Sequence, residues 1–208
     1  LGVNIRISDL GRGACFALSV IIFALVGTEI FARVVLGLGD PPLTVRDPKI
    51  EYMFKPGTYQ RFGNTLVYNE FSMRSQPLPR GSIVGERVLV VGDSVVNGGS
   101  EVDQTYLASE LLRRSLNAGS WVGNVSAGSW GPANMAAYIQ RFGTFGADHI
   151  LVVLSSHDLH DVPTFPADLG PDFPQIRPTF ALEEALMRYL PRYLPLLLSP
   201  VDAQSQKV

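Results

Sequence analysis

Sixteen consecutive residues without a charge, Gly13 to Thr28 (GACFALSVIIFALVGT), set the first constraint on this chain. A run so apolar is stable only in a bilayer or a protein core, or serves transiently as a targeting signal. At about 1.5 Å per residue it covers roughly 24 Å, and continuing through Leu38 reaches the ~30 Å of a hydrocarbon core. Only Glu29 and Arg33 are charged in that extension, four apart on one helical face, where they can pair or reach the headgroups. No A-x-A-like cleavage site follows. An uncleaved signal anchor over residues 13–38 is therefore expected, with a cleaved signal peptide and a buried helix as the alternatives. Arg6 and Arg12 favour a cytoplasmic N-terminus, residues 1–12, which delivers everything after Gly39 to the periplasm or cell exterior.

A chain of 208 residues has room beyond such an anchor for one ordinary domain. With 17 Lys and Arg against 19 Asp and Glu, net charge -2, it has no basic field to hold a nucleic acid. The single cysteine, Cys15, lies in the apolar run, so no disulfide framework or cysteine-rich metal site can form. The three histidines, 149, 157 and 160, are not at metal-ligand spacing, and no metal or cofactor is implied.

Residues 39–86 are rich in Pro and Gly with short apolar pieces (IEYMF, LVYNEF), and are expected to form an extended extracytoplasmic arm with isolated strands. From Arg87 the run RVLVV suits a strand buried on both faces of a parallel sheet. Thr105 to Leu116 has helical spacing, with Leu107, Leu111 and Leu112 expected on one face and arginines opposite. Trp121 to Val125 is expected as a second strand, Asn134 to Phe142 as a second helix, and HILVVL from His149 as a third buried strand. Strands alternating with helices predict an α/β fold, three-layer α/β/α with a parallel sheet, over residues 87–208. Ala181 to Ser199 has helical character, but Pro191 and Pro195 are expected to break it.

The chemistry is concentrated in VLVVGDSVVNGG, Val88 to Gly99. A serine on the turn between a strand and a helix exposes its hydroxyl at the sheet edge, and flanking backbone N–H groups can face an oxyanion. Gly92 permits a tight approach and Asp93 can fix the turn; the same tripeptide also occurs as an ordinary turn. Two further loops follow strands: GNVSAGSWGPAN, Gly123 to Asn134, and SSHD, Ser155 to Asp158.

In this order the three segments resemble the signatures of the SGNH (GDSL-type) serine hydrolases. That resemblance implies a flavodoxin-like sheet, Ser94 as nucleophile, and an oxyanion hole from the N–H of Ser94, that of Gly128 or alternatively Ser129, and His157, which stands where the family keeps an Asn. Gly92, Asp93 and Asp158 would be structural at the motif. Upstream, YNEFSMRSQ resembles the Asn-x-x-x-x-Arg segment that precedes the serine strand in anchored members. The departure is at the C-terminus: the family takes its catalytic Asp and His from an Asp-x-x-His segment, and no histidine follows His160. The chain is accordingly expected to be a C-terminally truncated member, inert as it stands and with an apolar face uncovered near 194–198, unless His160 substitutes as base with Asp161 or Asp158. The implied activity is that of an esterase or O-acyltransferase on acylated envelope or exported polysaccharide. A non-catalytic glycan-binding or assembly module is the alternative, for which Trp121 and Trp130 would suit sugar stacking. A nucleotide-binding reading is weak, because GDSVVNGG lacks the Lys-Ser/Thr of a P-loop.

Overall fold

The structure is a computed structural model that describes the backbone of residues 7–158 and 160–198 and the side chains of 11–158 and 160–194. Two compact units result: Leu1–Gly39 with Pro178–Val208, and Asp40–Arg177. In the first, helix α1 (Ile7–Val34) is continuous, and its stretch Gly11–Val34 is long and apolar enough to cross a membrane. The helix begins before the uncharged run and ends four residues short of Leu38, so its length is gained at the N-terminal side.

The second unit starts with two antiparallel hairpins, β1 (Thr44–Asp47) with β2 (Glu51–Phe54) and β3 (Gly57–Arg61) with β4 (Asn64–Tyr68). The Asp47 carboxylate closes the first turn, accepting from Lys49 N at 2.9 Å and Ile50 N at 3.0 Å. These strands do not form a separate arm. Ile50, Tyr52 and Met53 of the first hairpin, and Met73 beyond the second, share one core with Leu89, Val91 and Val125, while Tyr59, Leu66 and Tyr68 of the second hairpin pack with Phe54 and Leu43.

The central sheet has three parallel strands, β5 (Arg87–Gly92), β6 (Trp121–Ser126) and β7 (His149–Val152), in the order β6-β5-β7. After β5 come a one-turn helix α2 (Ser94–Asn97), a 3-10 turn (Gln104–Tyr106) and helix α3 (Ala108–Ser115); α4 (Pro132–Phe142) links β6 to β7. Alternation along β5 explains the layers. Val88 and Val90 pack towards Leu112 and Leu116, from α3 and its end, while Leu89 and Val91 join the core of Met135 and Tyr138 from α4.

Two expectations need correction. Leu111 is exposed: Leu107, the N-cap before α3 begins at Ala108, is buried with Ser109 and Glu110, and Leu112 and Leu116 are the leucines that face the sheet. The third strand is not buried. His149 to Val152 are all exposed, as are Val153 and Leu154, because β7 is an edge strand with no partner beyond it among the described residues.

The first unit closes with α5 (Ala181–Glu184), a π-helical turn (Ala185–Tyr189) and α6 (Leu190–Leu198). The expected break at the prolines does not occur. Pro191 lacks an N–H and its ring crowds the carbonyl four residues back, at Met187; that carbonyl lies in the π turn, where the widened backbone accommodates the ring. Of the apolar face expected to be uncovered near 194–198, the side chains 195–198 lie outside the described residues.

Gly123 is a tight point of the sheet core: a Cβ there would stand 2.4 Å from Trp121 Cη2 and 2.9 Å from Leu89 Cδ1. Gly123→Ala should therefore lower stability by about 1–3 kcal/mol, read as a lower urea midpoint at unchanged slope.

Candidate functional site

Ser94 is the first residue of α2, immediately beyond the C-terminal end of the central strand. The turn that presents it is locally determined. Asp93 is the N-cap, its carboxylate accepting from Val95 N at 2.9 Å, and is itself buried. Gly92 is required sterically: a Cβ there would lie 2.4 Å from Val96 Cγ2 and 3.2 Å from the Val153 carbonyl. Ser94 is exposed, and its hydroxyl and backbone N–H have no hydrogen-bond partner among the described residues.

Parallel pairing brings two other loops to the same sheet edge. Gly92 is opposite Ser126 and Val91 opposite Val152, so Ala127 onwards and Val153 onwards leave beside Ser94's turn. In the β6 loop the Gly128 carbonyl accepts from Tyr52 OH at 2.5 Å, and the Gly128 N–H donates to no described group. Ser129 is left-handed at φ 57 and exposed. Gly128 itself has room for a side chain, its nearest neighbours being 3.5 Å from an added Cβ. The glycine that packing requires is Gly131, whose Cβ would stand 2.0 Å from the Asp161 carbonyl oxygen, so the β6 and β7 loops lie in direct contact.

The β7 loop is organised by Asp158. Its buried carboxylate accepts from Ser155 N at 2.6 Å and Ser155 Oγ at 3.0 Å, and Ser155 Oγ also lies 3.5 Å from Asp93. The Ser155 backbone N–H, above all, holds the Asp158 carboxyl below its ordinary range against the cost of desolvation, with the Ser155 hydroxyl, Asp93 and His157 adding to it. Two buried carboxylates thus flank one serine, directly behind the turn that carries Ser94.

A buried polar network supports this turn from the other side, and only part of it is conspicuous in the sequence. Asn69 accepts from Phe71 N at 2.9 Å and Met73 N at 3.1 Å, folding the segment so that Arg74 points inward. Fully buried, Arg74 donates to the carbonyls of Asn97, Gly99 and Val102, which tie down the loop leaving α2, and its own N–H reaches Asn124 O at 3.0 Å. Asn97 in turn donates to Ser126 O at 2.9 Å, and Asn124 to Val96 O at 2.9 Å. The spacing of Asn69 and Arg74 is visible in the sequence; Asn97 and Asn124 are ordinary asparagines until pairing brings β5 and β6 together.

The structure brings Ser94, Gly128, Ser129, Ser155 and Asp158 to one edge of the sheet. His157 and His160 follow β7 at that edge, both exposed, with His160 N donating to His157 O at 2.9 Å and neither ring bonded to Ser94. His149 pairs with Val88, four residues before Gly92, roughly 13 Å from the serine end at about 3.3 Å per residue. Ser94 is exposed. It lines neither the hollow at Asp47, Lys49 and Arg141 nor the apolar groove between α4 and β7. The sequence matches no model of a known protein family, and no characterised protein matches it.

Arg74→Ala leaves three carbonyls to find new partners and should cost about 3 kcal/mol in urea unfolding, with Arg74→Lys recovering part. Asp103, which lies in this region, is held down to about 2, first by the Thr105 hydroxyl, then by the N–H groups of Thr105 and Thr65. A folded value below the unfolded ~3.9 makes its stabilisation complete above that value and lost as pH falls towards 2. The urea midpoint should therefore fall less steeply on acidification in Asp103→Asn than in the wild type.

Proposed function

We propose that this chain is a membrane-anchored serine ester hydrolase or O-acyltransferase of the SGNH type, with Ser94 as nucleophile. The observation that carries the reading is an exposed, unbonded serine on a turn at the end of the central strand, with loops from both neighbouring strands beside it. The strand order β6-β5-β7 supports it as well, since it puts the second and third strands on either side of the first, as in a flavodoxin-like sheet.

In the proposed reaction Ser94 Oγ attacks the ester carbonyl carbon while its proton passes to a base. The unpaired N–H groups of Ser94 and Gly128 and the ring N–H of His157 hold the oxyanion. Collapse expels the alcohol, which takes up a proton, and water or a second alcohol then releases the acyl group from Ser94. With His157 as donor, His160 is the base candidate in this sequence, oriented by Asp161 or Asp158. Arg6 and Arg12 favour an extracytoplasmic domain, and O-acyl groups of envelope or exported polysaccharide are the proposed substrates.

One observation favours the alternative of a non-catalytic module: no imidazole is hydrogen-bonded to Ser94 among the described residues. Sugar stacking by the tryptophans is no part of that alternative, since Trp121 and Trp130 are buried.

A fluorophosphonate probe separates the two readings, because only an activated serine reacts. The full chain in detergent should label at Ser94, and Ser94→Ala should abolish labelling and lower p-nitrophenyl acetate hydrolysis about 10³-fold. His160→Ala should have a comparable effect and His157→Asn should preserve turnover. A folded wild type that does not label would remove an activated Ser94 from this chain and, with it, the proposed reaction. For the anchor, a reporter active only outside the cytoplasm should be active when fused after Gly39, and the protein should resist carbonate extraction.

A further inference from the structure

The helical segment that ends the described chain is fixed to the last turns of α1. Glu29 accepts from Ala181 N at 2.9 Å and Leu182 N at 3.0 Å, so that a carboxylate of the apolar helix caps α5. Arg33 donates to Glu29 at 2.6 Å and to Thr179 O at 3.0 Å, and Gly39 N donates to Glu184 at 2.7 Å. Ala32, Leu38 and Ala181 are buried together, with Ala185 and Tyr189 against them. Beside this contact an open groove is lined by Leu25, Val26 and Ile30 of α1 and by Leu182 and Leu186.

C-terminal to this contact, apolar side chains are exposed. Leu186, Leu190, Tyr193 and Leu194 follow i, i+4, i+7, i+8 spacing, one face of a helix, and are 58%, 43%, 50% and 42% exposed. Arg188 and Arg192 form a separate row, and the Tyr189 and Tyr193 rings stack at 6.5 Å. Apolar residues and Tyr193 on one face with arginines on another match the interfacial layer of a bilayer, where phenol rings sit at headgroup level.

We propose that residues 180–194 form an interfacial helix, lying with the Leu186–Leu190–Leu194 face in the headgroup and acyl boundary of the bilayer that α1 crosses. The occupant is lipid, and what selects it is continuity: the exposed face is anchored at the membrane-exit end of the membrane-length helix, beside Glu29 and Arg33. Each of those charges would be costly deep in hydrocarbon and is paired here, as befits interface depth. This inference rests on the anchor reading of α1 and not on the chemistry of Ser94.

The test uses the full chain with Cys15→Ser, carrying single NBD-labelled cysteines at Phe23→Cys, Leu190→Cys, Leu194→Cys or Arg192→Cys, reconstituted in phosphatidylcholine–phosphatidylglycerol vesicles. Leu190 and Leu194 labels should shift to the blue and be quenched by a shallow nitroxide lipid more than by a deep one. The Phe23 label should respond to the deep nitroxide and the Arg192 label to aqueous iodide. Tyr193→Cys, on the same face, gives a second readout if a leucine variant fails to insert. Iodide quenching at 190, 193 and 194 with Phe23 still in lipid would overturn the interfacial helix and leave the anchor standing. Protection of those positions from both iodide and nitroxide lipid would overturn it in favour of a protein surface, such as a second copy. Iodide quenching at Phe23 would remove the anchor, and the inference with it.

Discussion

Strand β5 is hydrogen-bonded to a parallel strand on each side and apolar on both faces, and the 40–177 unit is arranged around that condition. A strand with two parallel neighbours needs crossover connections, and two apolar faces need two layers of cover. α3 supplies one layer. The other is built from α4 together with residues of the hairpins, which explains why a Pro- and Gly-rich segment that looks independent contributes Ile50, Tyr52 and Met73 to the main core.

The same strand determines where chemistry can occur. Its C-terminal end turns sharply into α2 because Gly92 has no Cβ to meet Val96, and the parallel register delivers the loops after β6 and β7 to the same edge. Polar residues then do what apolar packing cannot. Arg74 binds three loop carbonyls beyond α2, Asn97 and Asn124 join α2 to β6, and Asp158 holds the β7 loop through Ser155. Because each of these groups is buried and hydrogen-bonded, the turn behind Ser94 is supported even though Ser94 itself is open to solvent.

In the other unit the governing interaction is between Glu29 and the N-terminus of α5. An acidic residue near the end of a membrane-length helix satisfies two backbone N–H groups that would otherwise be orphaned, and Arg33 balances its charge. The i, i+4 pair was legible from spacing alone; its second role required a helix 152 residues later in the chain.

Local features of the sequence determined the parts whose physics is local. The apolar run specified a membrane-length helix, the branched run at Arg87 a doubly buried strand, and Gly-Asp-Ser a capped turn with an exposed serine. Tertiary structure decided what depends on partners. Whether HILVVL is a buried or an edge strand depends on a neighbour its own residues cannot specify, since an apolar run suits either place. Which leucines of α3 face the sheet was decided by packing, and the fate of Pro191 by a π turn that only the packed chain contains. Gly131, not Gly128, proved to be the glycine that packing requires, because the need for a missing Cβ arises from the Asp161 backbone that lies against it, 30 residues away in sequence and adjacent only once β5 has gathered its neighbours.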